Sequence, residues 1–528
     1  MSRQSRCLAS AVFPFGFHPV LAYGRAMRAR WRLLLAALIA AKTAGFAQVQ
    51  VGSEVLAAGG FGELQGKRVG LITNPSGVNR QGSLTMDVLR KARGVRLAAL
   101  FAPEHGLYGH ILAGRRIEHS VDPPSGLPIH SLYGATRKPT PAMLKGLDAL
   151  VYDLQDTGVR SYTFISTLGL AMEACAEAGL EFIVLDRPNP LGGERVEGPR
   201  VEDPFRSFVS QWDVPYVYGL TCGELARMIN GERWIKKPCR LTVVPLRGWS
   251  RSMVWRDTGL PWVAPSPNIP RADSPLYCAA TGLFGEIAGS SGINIGNMIG
   301  RPFECVGASW LNASLLSQTL SSRLPGVSFP ALRLSVNGRK YHGVEIKFAD
   351  PAHAPLVAIN YHLVDAIRQT TGRDVFAEAV QNGRTFTMFD KANGTDKVRE
   401  ALQAGRPAAQ IVRAWKPGED AFRRQRQPYL LYPTGPTGAL TRAGVPQSGS
   451  PTGPASVTPL PPPRPASTPP TTTYLVVTVS RGDTLTKIAQ DFRVSLNAIV
   501  EANPHTNVFE LKIGQKLRIP RPAAPTKR

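Results

Sequence analysis

Between Val51 and Tyr432 the chain alternates short apolar runs with stretches of helical spacing, and most of the apolar runs end in a polar cluster. Lys67–Thr73 reads as a strand that ends in Asn74-Pro75-Ser76-Gly77, and a helix is predicted over Thr85–Ala92. Arg96–Phe101 is a second strand, closing on Pro103-Glu104-His105-Gly106. Thr140-Pro141 opens a short helix that Gly146 stops. Ala149–Tyr152 is a third strand, followed by Asp153-Leu154-Gln155-Asp156, and Ser166–Ala178 is a helix with Gly179 as its stop. Glu181–Leu185 is a fourth strand, ending in Asp186-Arg187-Pro188-Asn189-Pro190. Continuous apolar strands separated by helices imply a parallel sheet covered on both faces, so the expected class is α/β. A smaller α/β part is expected from residue 308 to 432, with a strand over Gly343–Phe348 and helices near Leu363 and Lys397.

The pattern breaks after Tyr432. Residues 433–473 are dominated by Pro, Thr, Ser and Gly, which cannot bury apolar surface, and read as an extended linker. In polyproline II geometry its reach is on the order of 100 Å. Beyond it, residues 474–520 regain helical spacing at Leu485, Ile488, Ala489 and Phe492, with Asp483-Thr484 as a helix start, and Ile499 falls on a second helix. With a short strand on each side this is a β-α-α-β unit. Residues 521–528 form a basic tail.

The first 47 residues are set apart by charge. They carry seven basic side chains and no acidic one. Arg28, Arg30 and Arg32 precede the apolar run Leu33–Ala41, and Gly45-Phe46-Ala47 is a small-x-small cleavage site, so residues 1–47 read as an export signal with Met27 the expected start. The run is too short to span a bilayer. Of the net charge of +24, +17 lies beyond this segment. A basic surface attracts nucleic acid, anionic lipid or anionic wall polymer alike. With no nucleic-acid-binding motif and an export signal, a cell-wall partner in the periplasm or envelope is expected. Six cysteines, one of them within the signal, lack metal-ligand spacing and form no disulfide framework, so buried thiols are expected, with Cys222–Cys239 the one pairing considered.

In a parallel sheet all carboxyl ends lie along one edge, where ligands bind. Four strand ends therefore bring together Asn74; Glu104 and His105; Asp153, Gln155 and Asp156; and Asp186, Arg187 and Asn189, with Arg160 and Tyr162 close by. Glu104, between Pro103 and Gly106, is the expected catalytic acid, and Asp156 the second carboxylate, with Asp186 and Glu197 as rivals. Tyr162 is expected to stack on a sugar, and Arg160 to grip a substrate carboxylate with two prongs. His105, His110, His119 and His130 lack the spacing of a metal site, and neither a phosphate loop nor a nucleophile elbow is found, so no metal and no cofactor are expected.

Leu71–Gly77, Pro103–Gly106, Tyr152–Thr163, Asp186–Gly193, Glu197-Gly198-Pro199, Pro265–Pro270 and the tail from Phe389 to Tyr432 resemble the bacterial exo-β-N-acetylmuramidase family over nearly all of residues 50–432. The resemblance implies a Rossmann-like domain (48–307) with a smaller partner (308–432), and release of N-acetylmuramic acid from the non-reducing ends of peptidoglycan fragments. It implies that Glu104 is the catalytic glutamate, and it places Asn268 among the substrate-binding residues. Residues 285–300 depart from the family's Glu-Gly-Thr-Asn type loop, so contacts from that loop are not carried over. Residues 474–520 resemble a LysM domain, which implies that glycan binds around Gly482, Asp483, Thr484, Leu485, Asn503 and Pro504. The competing reading is a non-catalytic protein that only holds peptidoglycan.

Overall fold

The computed structural model describes residues 48–435 except 110, 337 and 384, together with 474–480, 488, 492, 499, 502, 503 and 513–520. The expected export signal, the expected linker beyond residue 435 and the basic tail lie outside the described residues. The chain divides into two units, residues 1–440 and 441–528.

Seven strands make the main sheet of the first unit: β1 (Arg68–Thr73), β2 (Arg96–Ala102), β3 (Ser120–Val121), β4 (Pro128–Ser131), β5 (Ala149–Asp153), β6 (Glu181–Leu185) and β7 (Arg240–Val244). Their order is β3-β4-β2-β1-β5-β6-β7, and every pairing is parallel except β3 with β4. Along the central strands successive residues enter opposite cores. Ile72, Leu150, Tyr152, Phe182 and Val184 pack on one face, and Val69, Leu71, Val151, Ile183 and Leu185 on the other. Both faces are dry, which is why these strands read as unbroken apolar runs rather than as alternations. Gly70 belongs to this packing, because a Cβ there would lie 2.7 Å from the Phe101 ring.

The helices start and stop as their chemistry directs. Thr140 accepts a hydrogen bond from the Met143 N–H at the head of Pro141–Leu144. The Phe164–Ala178 helix ends on Gly179 in the left-handed conformation, and its N–H returns to the Cys175 carbonyl. Thr221 and Glu224 form a capping box on Cys222–Gly231.

A second core gathers the Ser274–Ala288 and Leu356–Thr371 helices around a three-stranded antiparallel sheet. That sheet is β8 (Cys305–Ala308), β10 (Ala331–Val336) and β11 (Arg339–Glu345), in the order β10-β11-β8. This core also takes in Val159, Leu191, Tyr216 and Val217, and its continuous stretch starts at Tyr277, ahead of the residue at which the sequence pattern starts the smaller part. The strand expected over Gly343–Phe348 is in fact two. Ile346 donates its N–H to the Glu304 carbonyl, and the chain turns from β11 into β12 (Lys347–Phe348), which pairs instead with β9 (Val327–Ser328).

The second unit has β13 (Tyr474–Thr478) antiparallel to β14 (Lys516–Pro520), with Val479, Ile488, Ile499, Leu517 and Ile519 as its core. Among the described residues no helix is long and apolar enough to cross a membrane. Cys175, Cys222, Cys239, Cys278 and Cys305 are free and buried, so the Cys222–Cys239 pairing does not form.

Candidate active site

The chain leaves β1 for β2 on one side and β5 for β6 on the other, so the order reverses between β1 and β5, the place where such a sheet opens a crevice. Glu104, which follows β2, lies beside it. Its side chain is held from two directions: Oε1 accepts the Gly114 N–H at 2.9 Å, and Oε2 accepts the Thr163 hydroxyl at 2.7 Å. Tyr133, just past β4, adds a third neighbour. Burial, then the charge of Glu104 and a hydrogen bond to it, push the Tyr133 hydroxyl up to about 12. Among the described residues no Lys or Arg is ion-paired with Glu104. The turn after it is tight. His105 takes a left-handed conformation at φ 73°, fixed by its Nδ1 at 2.7 Å from the Ile111 carbonyl oxygen, and Gly106 follows at φ 79°.

Asp156 lies beyond β5 and is buried. Burial raises its carboxyl to about 6, against the hydrogen bonds from Tyr218 and from the Gly158 N–H, which favour the ionised form. Both of those bonds go to Oδ2, and Oδ1 has no partner among the described residues. Tyr162 lies within electrostatic reach of both acids. Its hydroxyl is raised well above the usual range, by burial first and then by charges that include both Asp156 and Glu104. Its ring meets Phe164 edge-on at 4.6 Å between centroids. The site thus offers two carboxyl groups on one edge of the sheet with an aromatic side chain near both.

Several expected ligand-binding residues serve the fold instead. Arg160 is fully buried; its guanidinium donates to the Ser210 hydroxyl and to the Pro199, Val214 and Ala392 carbonyls, so four of its five N–H groups are used by the fold and no two-pronged face is open to a substrate carboxylate. Arg187 forms a bidentate pair with Asp153, Nε to Oδ1 at 2.5 Å and Nη2 to Oδ2 at 3.1 Å, and also reaches the Val78 carbonyl. Asp186 accepts from the Thr221 hydroxyl, the Gly223 N–H and the Tyr432 hydroxyl, which makes it the anion at the head of the Cys222–Gly231 helix. Burial raises its carboxyl to about 6. Asn189 bonds the Leu220 carbonyl and the Leu191 N–H. Glu197 is bound by Arg195 and the Val357 N–H. Neither Asp186 nor Glu197 is therefore free to act as the second carboxylate.

Asn74 bridges loops, donating to the Pro265 carbonyl at 3.0 Å while accepting from the Ser76 N–H and hydroxyl. Gln155 donates to the Asp156 and Pro188 carbonyls, and its Oε1 has no partner among the described residues. Asn268 is half-buried and makes no side-chain hydrogen bond to a described residue. In the second unit the Asn503 side chain spans the Ile499 and Arg518 carbonyls and the Arg518 N–H, which ties its segment to β14. Gly482, Asp483, Thr484, Leu485 and Pro504 lie outside the described residues, as does His110.

The sequence pattern missed Thr163, Tyr133 and Tyr218. Thr163 falls inside a quoted motif, but the following helix begins at Phe164, two residues earlier than its spacing suggests, which carries the hydroxyl to the carboxyl edge. Tyr133 follows a four-residue strand headed by proline, too short for periodicity to register.

A mostly parallel α/β unit whose carboxyl edge gathers two acids beside an aromatic ring has the layout of a hydrolase acting on a polar ligand. Family models described as "Exo-beta-N-acetylmuramidase NamZ, N-terminal" and "C-terminal" match residues 69–273 and 276–432, and a LysM domain model matches residues 477–520. The chain belongs to the exo-β-N-acetylmuramidase NamZ family. It is 39% identical over 397 residues to the peptidoglycan beta-N-acetylmuramidase NamZ of Bacillus subtilis (strain 168), a match covering 74% of this chain and 93% of that protein. Crystal structures of two DUF1343 family proteins from Bacteroides fragilis are also similar. One has 43% identity and a TM-score of 0.67, over 73% of this chain and 99% of its own; the other has 28% and 0.57, over 74% and 100%.

Proposed function

We propose that the protein is an exo-acting β-N-acetylmuramidase that releases N-acetylmuramic acid from the non-reducing ends of peptidoglycan fragments. The observation that carries the reading is Glu104, a carboxyl group oriented by Thr163 and Gly114 at the crevice, with no Lys or Arg among the described residues ion-paired to it. Such a group is fit to protonate the leaving glycosidic oxygen, and Asp156, with one carboxyl oxygen unpartnered, supplies the second acidic group that glycoside cleavage requires. Tyr162, half-buried against Phe164, is the aromatic side chain within electrostatic reach of both acids. The protein works in the cell envelope, where the LysM module binds peptidoglycan and the linker keeps the enzyme within reach of glycan ends, which raises the local substrate concentration.

The test is Glu104→Gln on a chromogenic N-acetylmuramic acid β-glycoside. Turnover should fall by about 10³-fold or more with folding intact. Normal turnover by the variant would remove Glu104 from the chemistry. Wild-type protein that binds the glycoside but releases no sugar would make it a binding protein instead.

A further inference from the structure

N-acetylmuramic acid differs from N-acetylglucosamine by a lactyl ether that ends in a carboxylate, a group that a well-placed cation recognises. Arg160 does not suit that role, because it is fully buried and four of its five N–H groups are bound to protein oxygens. We propose that Arg137 is the anion subsite of the crevice and binds the lactyl carboxylate of the substrate sugar. The inference rests on the muramidase reading and names the group within it that recognises the acid.

Three observations converge on Arg137. Its position is fixed by rings, since the guanidinium carbon lies 4.6 Å from the Phe208 ring centroid and 5.8 Å from that of Tyr133, with the two rings 5.8 Å apart. Cation–π contact holds a guanidinium without consuming its in-plane N–H donors. The residue is exposed, and it makes no hydrogen bond or ion pair with any described residue, whereas its neighbour Lys138 is bound to Glu173 and Glu177 at 2.9 and 2.7 Å. Finally, the farther of the two rings, Tyr133, is the one beside Glu104. Tyr133 feels both the Glu104 carboxylate and the Arg137 cation, so a single tyrosine separates the proposed acid from the proposed anion site.

The support for this ring pair is built into the fold. Tyr133 follows β4, which is parallel to β2, and the Leu132 N–H donates to the Ala102 carbonyl at 2.8 Å, which fixes Tyr133 beside Glu104. Phe208 is tied down by its carbonyl, which accepts the Ser166 hydroxyl at 2.7 Å on the Phe164–Ala178 helix. A planar guanidinium held in this way, with its donors facing water, suits two-pronged capture of a carboxylate.

The experiment compares two chromogenic substrates, the muramic acid glycoside and its lactyl carboxamide, on the full-length wild type and on Arg137→Met, Arg137→Gln and Arg137→Lys. The wild type should favour the acid by about 10- to 100-fold in kcat/KM, mainly through KM. Arg137→Met and Arg137→Gln should lose that preference by slowing on the acid alone, and Arg137→Lys should recover part of it. Melting temperatures should match the wild type, since the side chain is exposed. Variants that keep the wild-type ratio between acid and amide would overturn the assignment while leaving the muramidase reading intact. A wild type that releases sugar from neither substrate would overturn both.

Discussion

Thr163 donates its hydroxyl to Glu104 at 2.7 Å, joining the residue before the Phe164–Ala178 helix to a strand end 59 positions earlier. A flexible carboxyl side chain thereby points in one direction before any ligand arrives, and the entropic cost of aiming it falls on folding rather than on catalysis.

Thr163→Val removes that donor at nearly constant volume. The variant is expected to lose about 10- to 100-fold in kcat, with a small change in KM and about 1–3 kcal/mol of stability. Thr163→Ser should restore most of both. Steady-state kinetics alongside urea unfolding would check this, and an unchanged kcat would show that Glu104 needs no such support.

Asp156 gives the reaction a pH signature. Burial holds its folded-state pKa up at about 6, so the ionised carboxylate, and the activity that depends on it, is lost as pH falls through that value. The Tyr218 hydroxyl bond opposes the rise. Tyr218→Phe should therefore move the acidic limb of the kcat/KM profile upward, by roughly one pH unit. A limb that stays in place would mean that it reports another group.

Arg160 and Arg187, both buried, should behave as structural parts. Arg160→Met leaves three carbonyls without their donor, and the loss is expected to be about 3–5 kcal/mol of unfolding free energy rather than a specific rise in KM. A folded Arg160→Met protein with a selective KM defect would return Arg160 to the substrate.

Asp153→Asn strands the Arg187 charge in the interior and is expected to cost about 3–5 kcal/mol, measured by denaturant unfolding. A loss below about 1 kcal/mol would mean that water or another group reaches Arg187 when its partner is gone.

The four central strands of the main sheet were legible because burial on both faces leaves an uninterrupted apolar signature, as in Leu150-Val151-Tyr152, whereas β3, β4 and β7, shorter or more exposed, were not read. The carboxyl edge followed from topology, and it placed Glu104 and Asp156 correctly at strand ends. What the pattern could not do was divide polar residues between substrate and scaffold. Asp186 and Arg187 adjoin in sequence, yet one heads a helix and the other is locked to Asp153. That division depends on partners far along the chain, such as Tyr432 for Asp186, which no local spacing encodes. Arg137 and Tyr133 escaped for the opposite reason. They gain their meaning from Phe208 and Glu104, brought alongside only when the sheet closes.

The five interior sulfhydryls have a practical consequence. Burial pushes each of them up from its ordinary range, so the reactive thiolate is scarce as well as shielded. An alkylating reagent should modify the native molecule only as fast as it opens, and the first unit needs no oxidant to attain its shape. The rate of sulfur modification thus becomes a clock for unfolding in this molecule, one that runs without any added label or engineered residue.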